Sequence, residues 1–574
     1  MAGFTAGAIS DSIRSPERVD KFESRDLVTS SNDAASRDPW IFREGRRTIS
    51  GAAILRGISS QLQRGSLGWV DALIQAGEFE AALADAAHPS ATFSADLTDA
   101  LARAVCTGNS SHAEKAGQMV ERLQPPEWVS ISPPEGFTYY ALHPLDFARV
   151  TSHFAKQPRA CAVIGIRSIG ATLSAVTTAA LRNAGRPTSR VTVRPSGHPY
   201  SRKTEFDRDQ KQWIREQAAK GSQFVVVDEG PGRSGSTFLS VAEALLGAGI
   251  QRDRITIVGS RQPDPESLCA ENAASRWSEF RYIATSPSVN ARFKDCLYAG
   301  GGCWREVFLA EERKWPESWT QTERLKFISP DQQMLYKFEG MGRVGAEARE
   351  RAFALSQAGF GPHVADAGDG FLAYDLLEGR HLRAADINPS LLDQMARYCA
   401  FRASNFTDDR CGASQLKEMV EFNIQQEFGT NIVFDDDELS SSQPVLVDGR
   451  MQSYEWIATS AETFVKTDAI DHGDNHFFPG PCDIAWDLAG ISVEWALDGA
   501  STEHLVREFQ RHSGDDARRR LSGYLLAYST FRTGFCRMAL ESVRGSTEEP
   551  RLRSAYIRYR QEALRHIRLR LRNL

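Results

Sequence analysis

Between Ile54 and Leu123 apolar residues recur at three- and four-residue intervals, as in WVDALIQAGEFEAALADAA, and this spacing predicts a run of amphipathic helices. Gln124-Pro125-Pro126 and Ser132-Pro133-Pro134 break the pattern. From residue 160 it changes to short apolar runs, ACAVIGI (160–166), RVTVRP (190–195), QFVVVDEG (223–230) and RITIVGS (254–260), with helix-period segments between them. Strands alternating with helices predict an α/β unit with a parallel sheet covered on both faces. A third regime begins at the tryptophan-rich WREVFLAEERKWPESW (304–319). LYKF (335–338) and FLAYDLLEG (371–379) read as strands flanking a helix over 345–360, and helices prevail to Glu427. Short strands are expected at VLVDG (445–449) and TFVKTD (463–468), then helices to the end. The expected division is an arm at 1–45 with little periodicity, a helical region at 46–130, an α/β domain at 131–300 and an α+β domain at 301–574.

Composition narrows the class. Of 574 residues 41% are hydrophobic and 25% charged, which is a globular balance. Lys+Arg number 68 against 74 Asp+Glu, a formal net charge of -6, which gives no electrostatic case for a general nucleic-acid binder. No apolar run approaches the length of a membrane span, and MAGFTAGAISDSIRSPERVDKF lacks the layout of a secretory signal. Nine cysteines without a close pair read as reduced thiols. The expectation is a cytoplasmic protein acting on small molecules, with no membrane partner.

FVVVDEGPGRSGSTF (224–238) carries the first chemistry. A buried strand ends on Asp228 and Glu229, and a loop with three glycines and small hydroxyls leads into a helix. Ligands of open parallel sheets bind at the carboxyl ends of strands. Backbone N–H groups of such a loop suit a phosphate, and paired acids suit ribose hydroxyls and Mg²⁺. The segment resembles the ribose-5-phosphate motif of the type I phosphoribosyltransferases. Asp228 and Glu229 match the two acids, and Ser234-Gly235-Ser236-Thr237 matches the loop end, in a loop one residue longer that holds Pro231, Gly232 and Arg233. GIRSIGATLSAV (165–176) is similar to the family's pyrophosphate loop, with Arg167, Ser168 and Gly170 at the turn. RPSGHPYSRKTEFD (194–207) is similar to its mobile hood, with Arg194, His198, Arg202 and Lys203 as basic candidates. The resemblance, over residues 135–290, implies transfer of ribose 5-phosphate from phosphoribosyl diphosphate to a nitrogenous acceptor, or its removal from one. Asp228 and Glu229 would hold the ribose and orient positive charge, residues 230–237 would bind the 5-phosphate, and Arg167, Arg202 and Lys203 would neutralise pyrophosphate.

A second constellation lies in the C-terminal half. Lys337 sits in a strand and Glu347 in the following helix, the pairing by which kinases hold ATP phosphates. QAGFGPHVADAGDGFLAYDLLEG (357–379) resembles the aminoglycoside and choline kinases, with Gly359, Pro362, Glu378 and Gly379 at matching places. The resemblance implies a bilobal kinase-like fold that takes ATP and Mg²⁺. Asp448 in VLVDGRMQSYEWI would be the acid/base, Glu455 would stand at a metal-binding Asn, Asp468 would hold Mg²⁺, and Asp487 would anchor the loop. Three features depart from the family, one being a nucleotide loop near Ile328–Gln333 that is not glycine-rich. Residues 446–448 read Leu-Val-Asp instead of His-Gly-Asp, and the His-Gly-Asp at 472–474 falls nine residues before Asp483. Asp471, His472, Asp474 and His476 also suggest a loop-borne metal cluster.

RLRSAYIRYRQEALRHIRLRLRNL carries eight arginines and one glutamate on an amphipathic helix, the one hint of an RNA or lipid contact; docking on its own acidic domain is the plainer reading. Together these features read as a bifunctional enzyme. A regulator that binds phosphorylated metabolites without turnover is the alternative, motivated by Leu446-Val447-Asp448.

Overall fold

A computed structural model describes residues 47–572 except 155–158, 233, 310, 409–412, 436–437, 471, 474 and 476. The arm at 1–45, Arg233, and the Asp471, Asp474 and His476 of the suggested metal cluster lie outside the described residues. Strand β1 (Arg47–Ser50) pairs antiparallel with β2 (Trp128–Ile131). Between them run four helices, α1 (Gly51–Gln63), α2 (Trp69–Asp85), α3 (Ala91–Thr107) and α4 (Ser110–Arg122), where the three-to-four periodicity places them.

Five parallel strands follow: β3 (Cys161–Ile166), β4 (Thr188–Val193), β5 (Gln223–Val227), β6 (Ile255–Gly259) and β7 (Arg281–Ala284), in the order β4-β3-β5-β6-β7. Helices α5 (Ile169–Asn183), α6 (Arg208–Ala219) and α7 (Ser236–Gly247) connect them. On the central strand β5, Val225 and Val227 enter one core and Phe224 and Val226 the other, as alternation requires. The run at 223–230 leaves the ladder after Val227, which places Asp228 and Glu229 at the strand end.

The helical region packs on this sheet. Helix α2 is buried along nearly its whole length, and Ala175, Val176 and Ala179 of α5 belong to its core. A Cβ on Gly77 would stand 1.9 Å from Thr172 Oγ1, so glycine is what lets α2 lie against α5. On α2, Glu80 receives two Arg190 nitrogens at 2.7 and 2.8 Å.

A second sheet of five antiparallel strands has the order β11-β12-β10-β9-β8. Its members are β8 (Leu297–Tyr298), β9 (Lys326–Ile328), β10 (Met334–Phe338), β11 (Val364–Gly368) and β12 (Phe371–Asp375), with helix α8 (Gly342–Gln357) between β10 and β11. The two sheets share a core, in which Phe293 stacks on Phe327 at 4.5 Å. Beyond β12 lie a three-stranded sheet, β13 (Arg380–His381), β14 (Trp456–Ala458) and β15 (Phe464–Lys466), and the helices α9 (Pro389–Asn405), α10 (Ala413–Phe428), α11 (Ala485–Glu494), α12 (Gly499–Ser513), α13 (Arg518–Ser542) and α14 (Glu549–Arg572). The strand expected at 445–449 does not form. Val445 makes single bridges to Thr407 and Cys482, and the N–H groups of Asp448 and Gly449 turn instead to the Asp487 carboxylate at 2.8 and 3.0 Å.

The segment Glu135–Leu142 touches both sheets. Its Phe137 carbonyl accepts the Met341 N–H at 3.0 Å, and its Thr138 carbonyl accepts Arg324 at 2.8 Å. No described helix is long and apolar enough to cross a membrane.

Candidate functional site

The first candidate site lies at the carboxyl end of β5. Asp228 Oδ1 accepts the Glu229 N–H at 2.9 Å. Gly170 closes the turn after β3 against this strand end, where a Cβ would stand 2.8 Å from the Val227 carbonyl oxygen. Glu229 packs on Gly136, whose Cβ would meet the Glu229 carboxyl carbon at 2.7 Å. Arg167 is held at the rim: its Nη1 reaches Asp85 at 3.2 Å and its Nε reaches Thr192 Oγ1 at 3.1 Å. Arg194 meets the same Asp85 carboxylate and donates to the Arg167 carbonyl at 2.6 Å. Asp85, at the end of α2, thus ties both arginines to the helical region.

The glycine-rich loop is closed by the hood. Ser234 and Ser236 hydroxyls donate to the Pro199 carbonyl at 2.8 and 2.6 Å, so a phosphate in this cradle would displace that carbonyl. Gly232 and Gly235 have φ of 59° and 70°, and half-buried Thr237 lies in the first turn of α7. Ser168 precedes α5 without capping it. Arg202 donates to the Gly197 carbonyl at 2.6 Å within the hood, and Lys203 is solvent-exposed. Among the described residues neither is paired with Asp228 or Glu229, so the structure does not bring the expected pyrophosphate cations onto the acids.

The second candidate site faces a cavity of about 140 Å³ between the two C-terminal sheets. Leu335, Tyr374, Leu376, Ile457 and Ile470 line its apolar part. One end is charged. Lys337 Nζ lies 2.5 Å from Asp468 and 3.1 Å from Glu339, and Lys326 Nζ lies 3.1 Å from Asp468. The pairing of Lys337 with Glu347 expected from the sequence is replaced. Glu339 takes that place, and Glu347 takes Arg343 at 2.9 Å on a different face. Burial alone would raise the Asp468 carboxyl, but Lys326 and Lys337, with His472, hold it well below the usual carboxylate range.

Asp468 and Glu455, expected as metal ligands, are each met by cations. Besides its two lysines, Asp468 has Arg450 and His472 at 3.6 Å. Glu455 receives Arg450 at 2.5 Å and Lys466 at 3.0 Å. Asp448 is corrected more sharply. It is fully buried, accepts the Tyr398 hydroxyl, has Lys466 at 3.3 Å and does not line the cavity. An acid/base must reach the proton it moves, and here the carboxylate faces Lys466 and Tyr398 instead of the cavity.

Against known proteins, no family model matches the chain and no curated protein sequence matches it. Solved structures do align with part of it. An ethanolamine kinase of Plasmodium vivax is 12% identical over 42% of this chain and 77% of its own, with a TM-score of 0.29. The choline kinase LicA of Streptococcus pneumoniae is 12% identical over 42% and 89%, with a TM-score of 0.30. An aminoglycoside phosphotransferase of Alicyclobacillus acidocaldarius is 13% identical over 44% and 91%, with a TM-score of 0.29.

Sequence reading missed three groups at the first site and two at the second. Glu135 and Arg261 both act electrostatically on Glu229, and Tyr140, half-exposed, is pushed up to about 12 by burial, Glu135 and Glu229. Glu135 directly follows the Pro133-Pro134 break, and nothing in its local sequence marks it as part of the site. At the second site Arg450 and Lys466 flank the two expected metal ligands in sequence, and only the fold shows that they neutralise them. The C-terminal helix docks on its own unit: Arg558 and Arg560 meet Glu494 and Glu427 at 3.3 and 2.6 Å, and Tyr559 and Ile567 are buried.

The acids at β5 make stability depend on pH. Burial, with the Glu229 charge, pushes Asp228 up to about 8 against the Glu229 N–H, and burial with Glu135 pushes Glu229 up to about 7. In the unfolded chain both titrate near the ordinary ~4. Between about pH 4 and pH 8 the folded chain holds protons that the unfolded chain has released, so these groups remove stability as pH rises through that window. Asp228→Asn is expected to flatten the decline, seen as a smaller fall in urea midpoint from about pH 5 to 8 than in the wild type. Equal falls in the two proteins would refute this.

Proposed function

We propose that the chain is a two-site protein of small-molecule metabolism. The C-terminal half takes ATP in its cavity as a kinase-like unit, and the α/β unit transfers ribose 5-phosphate between phosphoribosyl diphosphate and a nitrogenous acceptor, in either direction. The observation that carries the ATP reading is the placement of Lys337, beside Glu339 and Asp468, at the charged end of an otherwise apolar cavity. A base would occupy the apolar part, and the phosphates would draw Lys337 and Lys326 from Asp468. Lys337→Met is expected to weaken ATP binding about tenfold in equilibrium dialysis, the loss of one charge-assisted contact. Unchanged affinity would remove this reading.

Phosphoryl transfer to a small-molecule hydroxyl is the activity that the kinase resemblance implies. The buried Asp448 favours the other reading of this half, nucleotide binding without turnover. Acceptor-dependent ADP formation across a panel of alcohols and amino sugars separates the two.

The ribosyl reading is supported by Asp228 and Glu229 at the end of the central strand, beside a loop whose two serine hydroxyls converge on one carbonyl oxygen. The chemistry is exchange at C1 of the ribose: its bond to the diphosphate oxygen breaks and a bond to the acceptor nitrogen forms. Mg²⁺ fits this site, because hard carboxylate oxygens are present and no cation is paired with them among the described residues. Asp228 and Glu229 would hold it with the ribose hydroxyls, and the ion would supply neutralising charge for the diphosphate. Both carboxyls would face the carbon where positive charge develops, and their ionisation on ligand arrival would stabilise that charge.

A further inference from the structure

We infer that the C-terminal cavity takes its nucleotide as the free polyanion, with Lys326, Lys337 and Arg450 in the role that a divalent cation would play. The inference rests on the ATP reading above. It starts from a misfit between the side chains present and Mg²⁺. Asp468, Glu455 and His472 place their ligand atoms close enough together to hold an ion. Each carboxylate, however, is already claimed by two or more cations: Lys337 at 2.5 Å and Lys326 at 3.1 Å on Asp468, Arg450 at 2.5 Å and Lys466 at 3.0 Å on Glu455.

Charge decides which ligand such a site favours. Four lysine and arginine cations (Lys326, Lys337, Arg450, Lys466) face four carboxylates (Glu339, Asp448, Glu455, Asp468), so the cluster is balanced before any ligand arrives. A divalent ion needs an excess of negative charge. Here it would have to displace buried cations from their partners, and a buried charge without its partner is costly. Lys466 and Lys337 are almost fully buried.

A polyphosphate meets the opposite situation. Lys326 and Lys337 come from neighbouring strands, β9 and β10, and both line the cavity with Arg450. Turning from Asp468 to a phosphate exchanges one oxyanion for another. Asp468 would keep His472 at 3.6 Å and share Arg450, also at 3.6 Å, with the phosphate. Three cations converging on phosphate oxygens supply the charge-assisted hydrogen bonds that a bound metal would otherwise replace.

The test is equilibrium dialysis of the full chain with radiolabelled ADP, once in EDTA and once in excess Mg²⁺. The expected dissociation constants agree within about threefold. Binding more than about threefold tighter with Mg²⁺ overturns the inference and leaves the nucleotide reading standing. No saturable binding in either buffer overturns the nucleotide reading itself. Lys326→Met, with its folding checked by circular dichroism, is expected to weaken binding in EDTA about tenfold. Unchanged affinity in that variant overturns the assignment of phosphate charge to Lys326.

Discussion

Replacing Asp228 with alanine is expected to lower acceptor-dependent diphosphate release from phosphoribosyl diphosphate by about 10²–10³-fold, the usual cost of removing one preorganised group that faces developing charge. The carboxyl stands at the end of the fully buried central strand of the sheet, its position fixed by the Glu229 N–H and by the Gly170 turn packed against Val227. The neighbouring Glu229 is itself braced on Gly136. Asp228→Asn keeps the shape and the hydrogen bond but not the charge, so it separates the electrostatic role from the structural one. The measurement is a coupled diphosphate assay against a panel of bases, with both variants checked for unchanged urea midpoints at acid pH. Release within about threefold of wild type in the alanine variant would remove the ribosyl reading.

The largest expected loss of stability follows Arg402→Met. The guanidinium is fully buried and donates to Tyr398 Oη at 2.9 Å, the Ala469 carbonyl at 2.9 Å and the Leu446 carbonyl at 2.7 Å, with Asp487 at 3.8 Å. Asp487 in turn holds the N–H groups of Asp448 and Gly449. Removing the cation leaves the Ala469 and Leu446 carbonyls without this donor, takes from Asp487 its Arg402 partner, and leaves Asp448 with Lys466. Breaking a buried pair in this way costs about 3–5 kcal/mol. Urea unfolding followed by tryptophan fluorescence measures it, because Trp456 and Trp486 lie in the same core. A loss below about 1 kcal/mol would mean that the network relaxes around the vacancy.

Much of the fold was legible because apolar periodicity reports burial directly. Three of the five parallel strands, β3, β5 and β6, are buried throughout and carry runs such as FVVV and ITIV, the signature of strands covered on both faces, and a fourth, β4, was read from its alternating RVTV. The fifth, Arg281–Ala284, was not read: it is an edge strand, and Arg281 and Tyr282 break the run. At the second site Lys337 was legible but its partner was not. Glu347 was chosen by analogy with helix-borne glutamates, although Glu339, two residues on, shares a strand face with Lys337 by simple alternation. Asp448 misled for a different reason. Its neighbours in sequence look like a catalytic loop, and the lysine that neutralises it lies eighteen residues further on, where only the hairpin of β14 and β15 returns it. Pairings of that kind are set by tertiary packing and leave no local pattern.

The segment Glu135–Leu142 bears on how the chain can be dissected and how it can change over generations. It braces Glu229 through Gly136 and, one residue later, ties down Met341 through the Phe137 carbonyl. A gene cut between the sheets, near residue 300, would strip β8 from its sheet and strand Phe293 away from Phe327. The junction is therefore a keystone and not a tether, and a graft of either half onto another protein would have to carry a piece of its neighbour along.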